Sequence, residues 1–275
     1  MKTVRDTILA SGILALTSAV DAHTSYGGTA RDLGPVSGST SGPITGFNPL
    51  APYFKTINTA QTVTSNFGWA HGTDADFGDA HHIKAYRFTL AEAGWATITV
   101  ASNTSRGTGA LPFMPAFSLY TGLLHTSGGS DYDTAGITTA YLATLGSPQP
   151  REGAFNALGD WKMGNDASLP DGLGNYNFSE LSSLTYVTNA ADGTSANFGS
   201  ASGIHGDGLA DGTVTASMWL EAGDYSLMAG GADLGGTDIL GTYGIDVSLS
   251  VIPEPSAAVM AVLSGLVLTF RRRRA

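Results

Sequence analysis

The sequence has no cysteine. Disulfide cross-links, thiolate metal sites and cysteine nucleophiles are therefore excluded. Charge is scarce: only 13% of the 275 residues are Asp, Glu, Lys or Arg. Basic residues are the scarcer sign, 13 against 23 acidic ones, for a formal net charge of −10. Lys2, Arg5 and the run Arg271, Arg272, Arg273, Arg274 stand in the end segments with Asp6, Asp21 and Glu254, so the part between them carries about −13. Such a body is repelled by phosphate backbones, which argues against a nucleic-acid partner. Between the ends the glutamates are Glu92, Glu152, Glu180 and Glu221 alone, which leaves few candidates for paired-carboxylate glycoside hydrolysis. The serine-hydrolase elbow G-x-S-x-G is missing, because 38–42 (GSTSG) and 199–203 (GSASG) have the wrong central residue. There is no H-E-x-x-H, no phosphate-cradling loop before a helix, and no array of equal repeats.

Glycine is plentiful, with 37 residues, and Thr, Ser, Asp and Asn cluster around it. That composition suits turns and short strands better than helices. At 42% hydrophobic residues the chain can fill a sizeable core, which sets it apart from disordered sequences.

The two ends read as addresses. Residues 1–22 have a positive start at Lys2 and Arg5, a mostly apolar run from Ile8 to Val20, and small residues around Asp21. This is the pattern of a secretory signal cut after Ala22, and such a cut makes His23 the new amino terminus. At the other end an apolar stretch of 14 residues, 257–270, falls short of the roughly 20 that a helix needs to span a bilayer comfortably. The four arginines that follow should stay cytoplasmic, leaving the body outside. The order Ile252, Pro253, Glu254, Pro255, Ser256, then a short hydrophobic helix, then Arg271 to Arg274, resembles the PEP-CTERM sorting signal, with Ile252 where members usually have Val. The resemblance covers 252–275. It implies recognition by an exosortase-type membrane transpeptidase, transient anchoring in the inner membrane, cleavage near Pro-Glu-Pro, and delivery to the cell surface or to an extracellular polysaccharide matrix. Prolines keep such a segment extended, as a protease cleft requires.

The region 23–251 is expected to be one all-β domain. Period-2 alternation marks strands at 61–67, 82–90, 95–100, 115–121, 183–188, 213–220, 224–229 and 242–251. Two phrases, RFTLAEAGWATITV and SMWLEAGDYSLMAG, each place a strand ending in Leu before an Ala-Gly turn and an aromatic return. They read as two hairpins of paired sheets. The pattern resembles the jelly-roll β-sandwiches of secreted bacterial proteins, including those related to the pre-peptidase C-terminal domain. Residues 122–181 alternate poorly and exceed an ordinary loop. They read as an insertion with strand content at 155–163 that covers a sheet face or forms a binding surface. No helix is expected in the exported part.

Candidate chemistry is sparse. Asp74, Asp76 and Asp79 in one turn, and Asp207 with Asp211 in another, have the close spacing that calcium can use, although Asp and Gly also simply form turns. His71, His81 and His82 bracket the first group, and imidazoles bind transition metals. A mature amino-terminal His23 could chelate copper through its amine and ring, as in the histidine brace of lytic polysaccharide monooxygenases. Calcium is the preferred cofactor of the two, and none is required. Trp161 and Tyr176 in the insertion are candidates for stacking on sugar rings.

Taken together, these features predict an exported, non-catalytic structural or adhesive protein whose partners are polysaccharide or matrix proteins. The rivals are a dedicated carbohydrate-binding module and a copper enzyme using His23.

Overall fold

A computed structural model of the chain describes residues 26–27, 30–34, 44, 53–57, 61–71, 77–109, 113–124, 154–162, 183–235 and 239–253. Thirteen strands are formed there: β1 (Tyr53–Ile57), β2 (Thr62–Thr64), β3 (Ala70–His71), β4 (Phe77–Asp79), β5 (Lys84–Leu90), β6 (Gly94–Gly107), β7 (Pro115–Thr121), β8 (Ala154–Asn156), β9 (Trp161–Lys162), β10 (Ser183–Ala191), β11 (Thr213–Leu220), β12 (Gly223–Asp233) and β13 (Thr242–Pro253). The fold is all-β, as the alternation predicts. Ala80–His82 forms a short 3-10 turn and Ser195–Phe198 a single helical turn, a small departure from the helix-free expectation.

Two sheets make the sandwich. In the first, the order is β1-β13-β6-β11, with β2 also on β13. In the second it is β3-β12-β7-β10-β9, with β5 also on β12. Between them lies one apolar core. Ala96, Ile98 and Val100 of β6 and Ile245, Val247, Leu249 and Val251 of β13 meet Phe88, Phe117, Leu119 and Leu227 from the other sheet. Each inner residue is two apart from the next, which is why Ala96, Ile98 and Val100 are apolar while Thr97 and Thr99 between them are not.

The two Ala-Gly phrases are not hairpins. β5 pairs with β12, with Leu90 opposite Gly223, while β6 pairs with β11, with Gly94 opposite Leu220. Each phrase is thus an arch that carries the chain from one sheet to the other, and each arch supplies the pairing partners of the other. The physical reason is burial. A lone hairpin leaves its apolar face wet, whereas an arch lays its two apolar faces against each other across the sandwich. Leu90 and Leu220 close the two corners, each only 2% exposed. Aromatic pairs reinforce the exchange: Phe88 stacks on Tyr225 at 5.2 Å, and Trp95 meets Trp219 edge-on at 6.0 Å.

The second sheet is buried on its outer side as well. Trp69, Ile83, Tyr120, Trp161, Leu184, Phe198 and Met228 form a second apolar cluster there. Hydroxyls fasten this outer layer to the sheet. Trp69 Nε1 donates to Ser118 Oγ at 2.8 Å, and Ser118 Oγ donates to the carbonyl of Ala157 at 2.6 Å. Ser226 Oγ donates to the carbonyl of Gly122, and Tyr26 OH accepts the backbone N–H of Leu124 at 2.7 Å. The described part of the insertion belongs to this layer. The strand expected at 155–163 is two short ones, β8 and β9, and β8 pairs with β4. The last strand continues beyond 251 to Pro253.

Candidate functional site

The outer face of the first sheet carries no covering layer among the described residues, and its composition follows from the alternation. With Ala96, Ile98 and Val100 facing inward, Trp95, Thr97 and Thr99 face outward. With Val214 and Leu220 inward, Thr213, Thr215, Ser217 and Trp219 face outward. The pairing register stacks these positions into rows. At one end Ile252, Trp95 and Trp219 are neighbours. The next row is Phe54, Ser250, Thr97 and Ser217, and then come Ser248, Thr99 and Thr215. Hydroxyls meet across the strands, Thr97 with Ser217 at 2.8 Å and Thr99 with Thr215 at 2.9 Å. Phe54, Trp95 and Ile252 are 67%, 55% and 50% exposed. The indole of Trp219 donates to Glu221 at 2.9 Å. At the opposite end Asp246 is ion-paired with Arg106 and accepts from Asn103 Nδ2 at 2.9 Å, so the face between is electrically neutral. At the sheet edge, Lys55 of β1 lies in the inward phase yet is exposed. A charge placed there discourages another chain from pairing with the edge.

The sequence-predicted residues fare differently. Trp161 is buried, 3% exposed, and packs in the cluster under the outer layer. It offers no ring to a sugar, because an indole of that size stabilises more by covering the sheet than by standing in water. Tyr176, His23, Asp74 and Asp76 lie outside the described residues, as do Glu254, Pro255, Ser256 and Arg271 to Arg274 and the apolar stretch 257–270. Ile252 and Pro253 form the extended end of β13. Among the described residues no helix is long and apolar enough to cross a membrane.

Asp79 and His82 come together, with His82 Nε2 3.5 Å from Asp79 Oδ2 and His82 Nδ1 2.6 Å from Thr64 Oγ1. The ring of Phe67 packs against both His71 and His82, at 4.9 and 5.1 Å. In the second acidic loop the carboxylates face backbone. Asp207 Oδ1 accepts the N–H of Gly193 and of Leu209, and Asp211 Oδ1 accepts the N–H of Thr213 at 3.0 Å. Gly208 and Gly212 hold φ of 94° and 83°, the left-handed angles such turns need. These contacts are those of turn formation. Among the described residues no group of three or more His, Asp or Glu is placed to hold a metal ion.

Sequence reasoning missed Asp192, which organises this loop from 19 residues away. Its two oxygens accept the N–H of Asp211 at 2.9 Å and of Gly212 at 3.0 Å, and it is 1% exposed. Burial raises its pKa above the ordinary 3.8, opposed by those two hydrogen bonds. A raised carboxylate pKa means that the folded state holds the proton more tightly than the unfolded state. Its favourable contribution is therefore full below the unfolded value and is lost as pH rises through the folded one. Asp192→Asn is expected to remove that dependence. In urea titrations at pH 4 and pH 7, the wild type should lose stability relative to the variant on going to pH 7, and an unchanged difference would contradict the assignment.

No protein-family model matches the chain, and no curated protein matches it. Among solved structures, the chain is similar to CorA of Methylomicrobium album BG8, described as a surface-associated copper-binding protein, at 15% identity and a TM-score of 0.41. That match covers 70% of this chain and 92% of the other. It is also similar to the secreted protein MopE of Methylococcus capsulatus, described as binding copper with the help of an oxidized tryptophan, at 18% identity and a TM-score of 0.37. Here 70% of this chain and 84% of the other are covered. Likeness of this degree leaves the ligand of the present chain to its own residues.

Proposed function

We propose that this chain is an exported, non-catalytic protein of the cell surface or extracellular matrix, with a structural or adhesive role. On this reading it is held first in the inner membrane by residues 252–275 and is then processed there by an exosortase-type transpeptidase. The observation that carries the reading is the course of β13. It runs through the middle of the first sheet and ends at Pro253, so Ile252 and Pro253, the last two residues of the strand, are also the first two of the sorting motif. A transpeptidase cutting near Pro-Glu-Pro would meet an extended strand end and leave the core intact. Adhesion to polysaccharide or to neighbouring matrix proteins is supported by the neutral, hydroxyl-rich face around Thr97, Thr99, Thr215 and Ser217. A neutral polymer can approach that face although the body as a whole is acidic.

The test is the intact mass of the protein isolated from its own cells. The expected species begins at His23 and ends near Pro253, with or without an attached group at the new carboxyl end. Recovery of the uncut 275-residue chain dissolved in the cytosol would overturn the proposal.

A further inference from the structure

We infer that the end of the first sheet bearing Trp95, Trp219, Ile252 and Phe54 seats on the outer surface of the membrane while the tail is still anchored. The inference rests on the tethering read from 252–275 and specifies which surface that tether brings to the bilayer.

Reach comes first. The described chain leaves the sheet at Pro253, and the apolar stretch begins at residue 257. Four residues span at most about 14 Å when fully extended, and the headgroup layer is itself roughly 5–8 Å deep on each side of the hydrocarbon. The row containing Ile252 therefore cannot stand far from the lipid.

Chemistry is the second argument. Outward-facing apolar side chains on this face, exposed at Ile252, Trp95 and Phe54 and half-buried at Trp219, are graded along the strands. Ile252, Trp95 and Trp219 form the row nearest the exit, Phe54 lies one row back, and the rows beyond carry Ser and Thr hydroxyls. Successive rows are about 6.7 Å apart, so the grading runs from apolar to polar over the depth of a membrane interface. Tryptophan is enriched at that level because its ring is apolar and its N–H is polar. Glu92 and Glu221 sit in the two arches beside the tryptophans and are exposed, which sets the contact at the headgroups and not in the hydrocarbon. Among the described residues the other exposed large apolar ones, Leu209 and Leu240, lie in two separate loops leading into β11 and β13, at the far end of the sheet.

The four tryptophans make this measurable in the whole chain. Trp69 and Trp161 are 0% and 3% exposed, so quenchers from outside reach Trp95, 55% exposed, and the half-buried Trp219. The full-length protein is reconstituted into phosphatidylethanolamine–phosphatidylglycerol vesicles, and its insertion is scored by resistance to alkaline carbonate. Shallow doxyl-labelled lipid should quench the emission of Trp95 and Trp219, and aqueous iodide should not. The lipid-quenched fraction should vanish in the W95F/W219F double variant, while the emission of Trp69 and Trp161 reports that the fold is kept. An inserted protein whose Trp95 and Trp219 stay open to iodide and untouched by labelled lipid overturns this seat and leaves the tether standing. A protein stripped by carbonate overturns both. Shielding of the same tryptophans by soluble polysaccharide, in detergent without lipid, would reassign the row to sugar binding and overturn the seat.

Discussion

Trp69→Ala is expected to destabilise the protein by about 3–5 kcal/mol, the usual cost of emptying a buried aromatic site. Trp69 is fully buried, its backbone N–H donates to Gly231 at 2.8 Å, and its indole donates to Ser118. Ser118 in turn holds the carbonyl of Ala157 in the turn between β8 and β9. One side chain thus links the segment before β3, the central strand β7 and the insertion. Trp69→Phe keeps most of the volume and loses only the indole hydrogen bond, for which about 0.5–1.5 kcal/mol is expected on top of the packing change. Urea unfolding followed by far-ultraviolet circular dichroism checks both. Should Trp69→Ala cost less than about 1 kcal/mol, the outer layer would be a separately melting unit and not part of the cooperative fold.

Replacing Arg271, Arg272, Arg273 and Arg274 together by glutamate is expected to reduce processing of the tail to near zero. Orientation at a membrane is set chiefly by Lys and Arg beside the apolar segment, while acidic residues contribute little. Without the cationic stop, a stretch of only 14 apolar residues has little to hold it at the inner face. Replacing all four by lysine keeps the charge and should preserve anchoring. If the lysine variant fails as well, the guanidinium groups are read directly by the enzyme. The readout is the fraction of chains cut near Pro-Glu-Pro, measured by intact mass. Normal processing of the glutamate variant would remove the arginines from the proposed signal.

The sequence spelled out single strands better than their partnerships. The expected ranges 115–121 and 213–220 coincide with β7 and β11; in β11 inward Val214 and Leu220 alternate with outward Thr213, Thr215, Ser217 and Trp219, whereas β7 is buried on both faces. β6 runs on to Gly107 through polar residues, where alternation gives no signal. The arches were not legible. A phrase of fourteen residues records that the chain reverses, but not whether its two halves pair with each other or with strands some 130 positions away. The second buried face did leave a mark. The apolar run Leu227 to Ala232 of β12, within a stretch buried from Tyr225 to Asp233, is what a strand covered on both sides looks like. Trp95 and Trp219 could have been found from the odd, polar phase of their strands, whereas Trp161 was misassigned because residue type alone does not tell which side of a layer an indole faces. Asp192 escaped because its partners, Asp211 and Gly212, are distant along the chain.

The placement of β13 also decides how the molecule bears load. The strand that leads into the proposed tether has β1 and β2 on one side and β6 on the other. A pull on such a tether would act along that strand, while the ladder hydrogen bonds lie across it. Tension applied through such a tether would thus be shared among many bonds sheared together, and they would not be peeled apart singly as from an outermost strand.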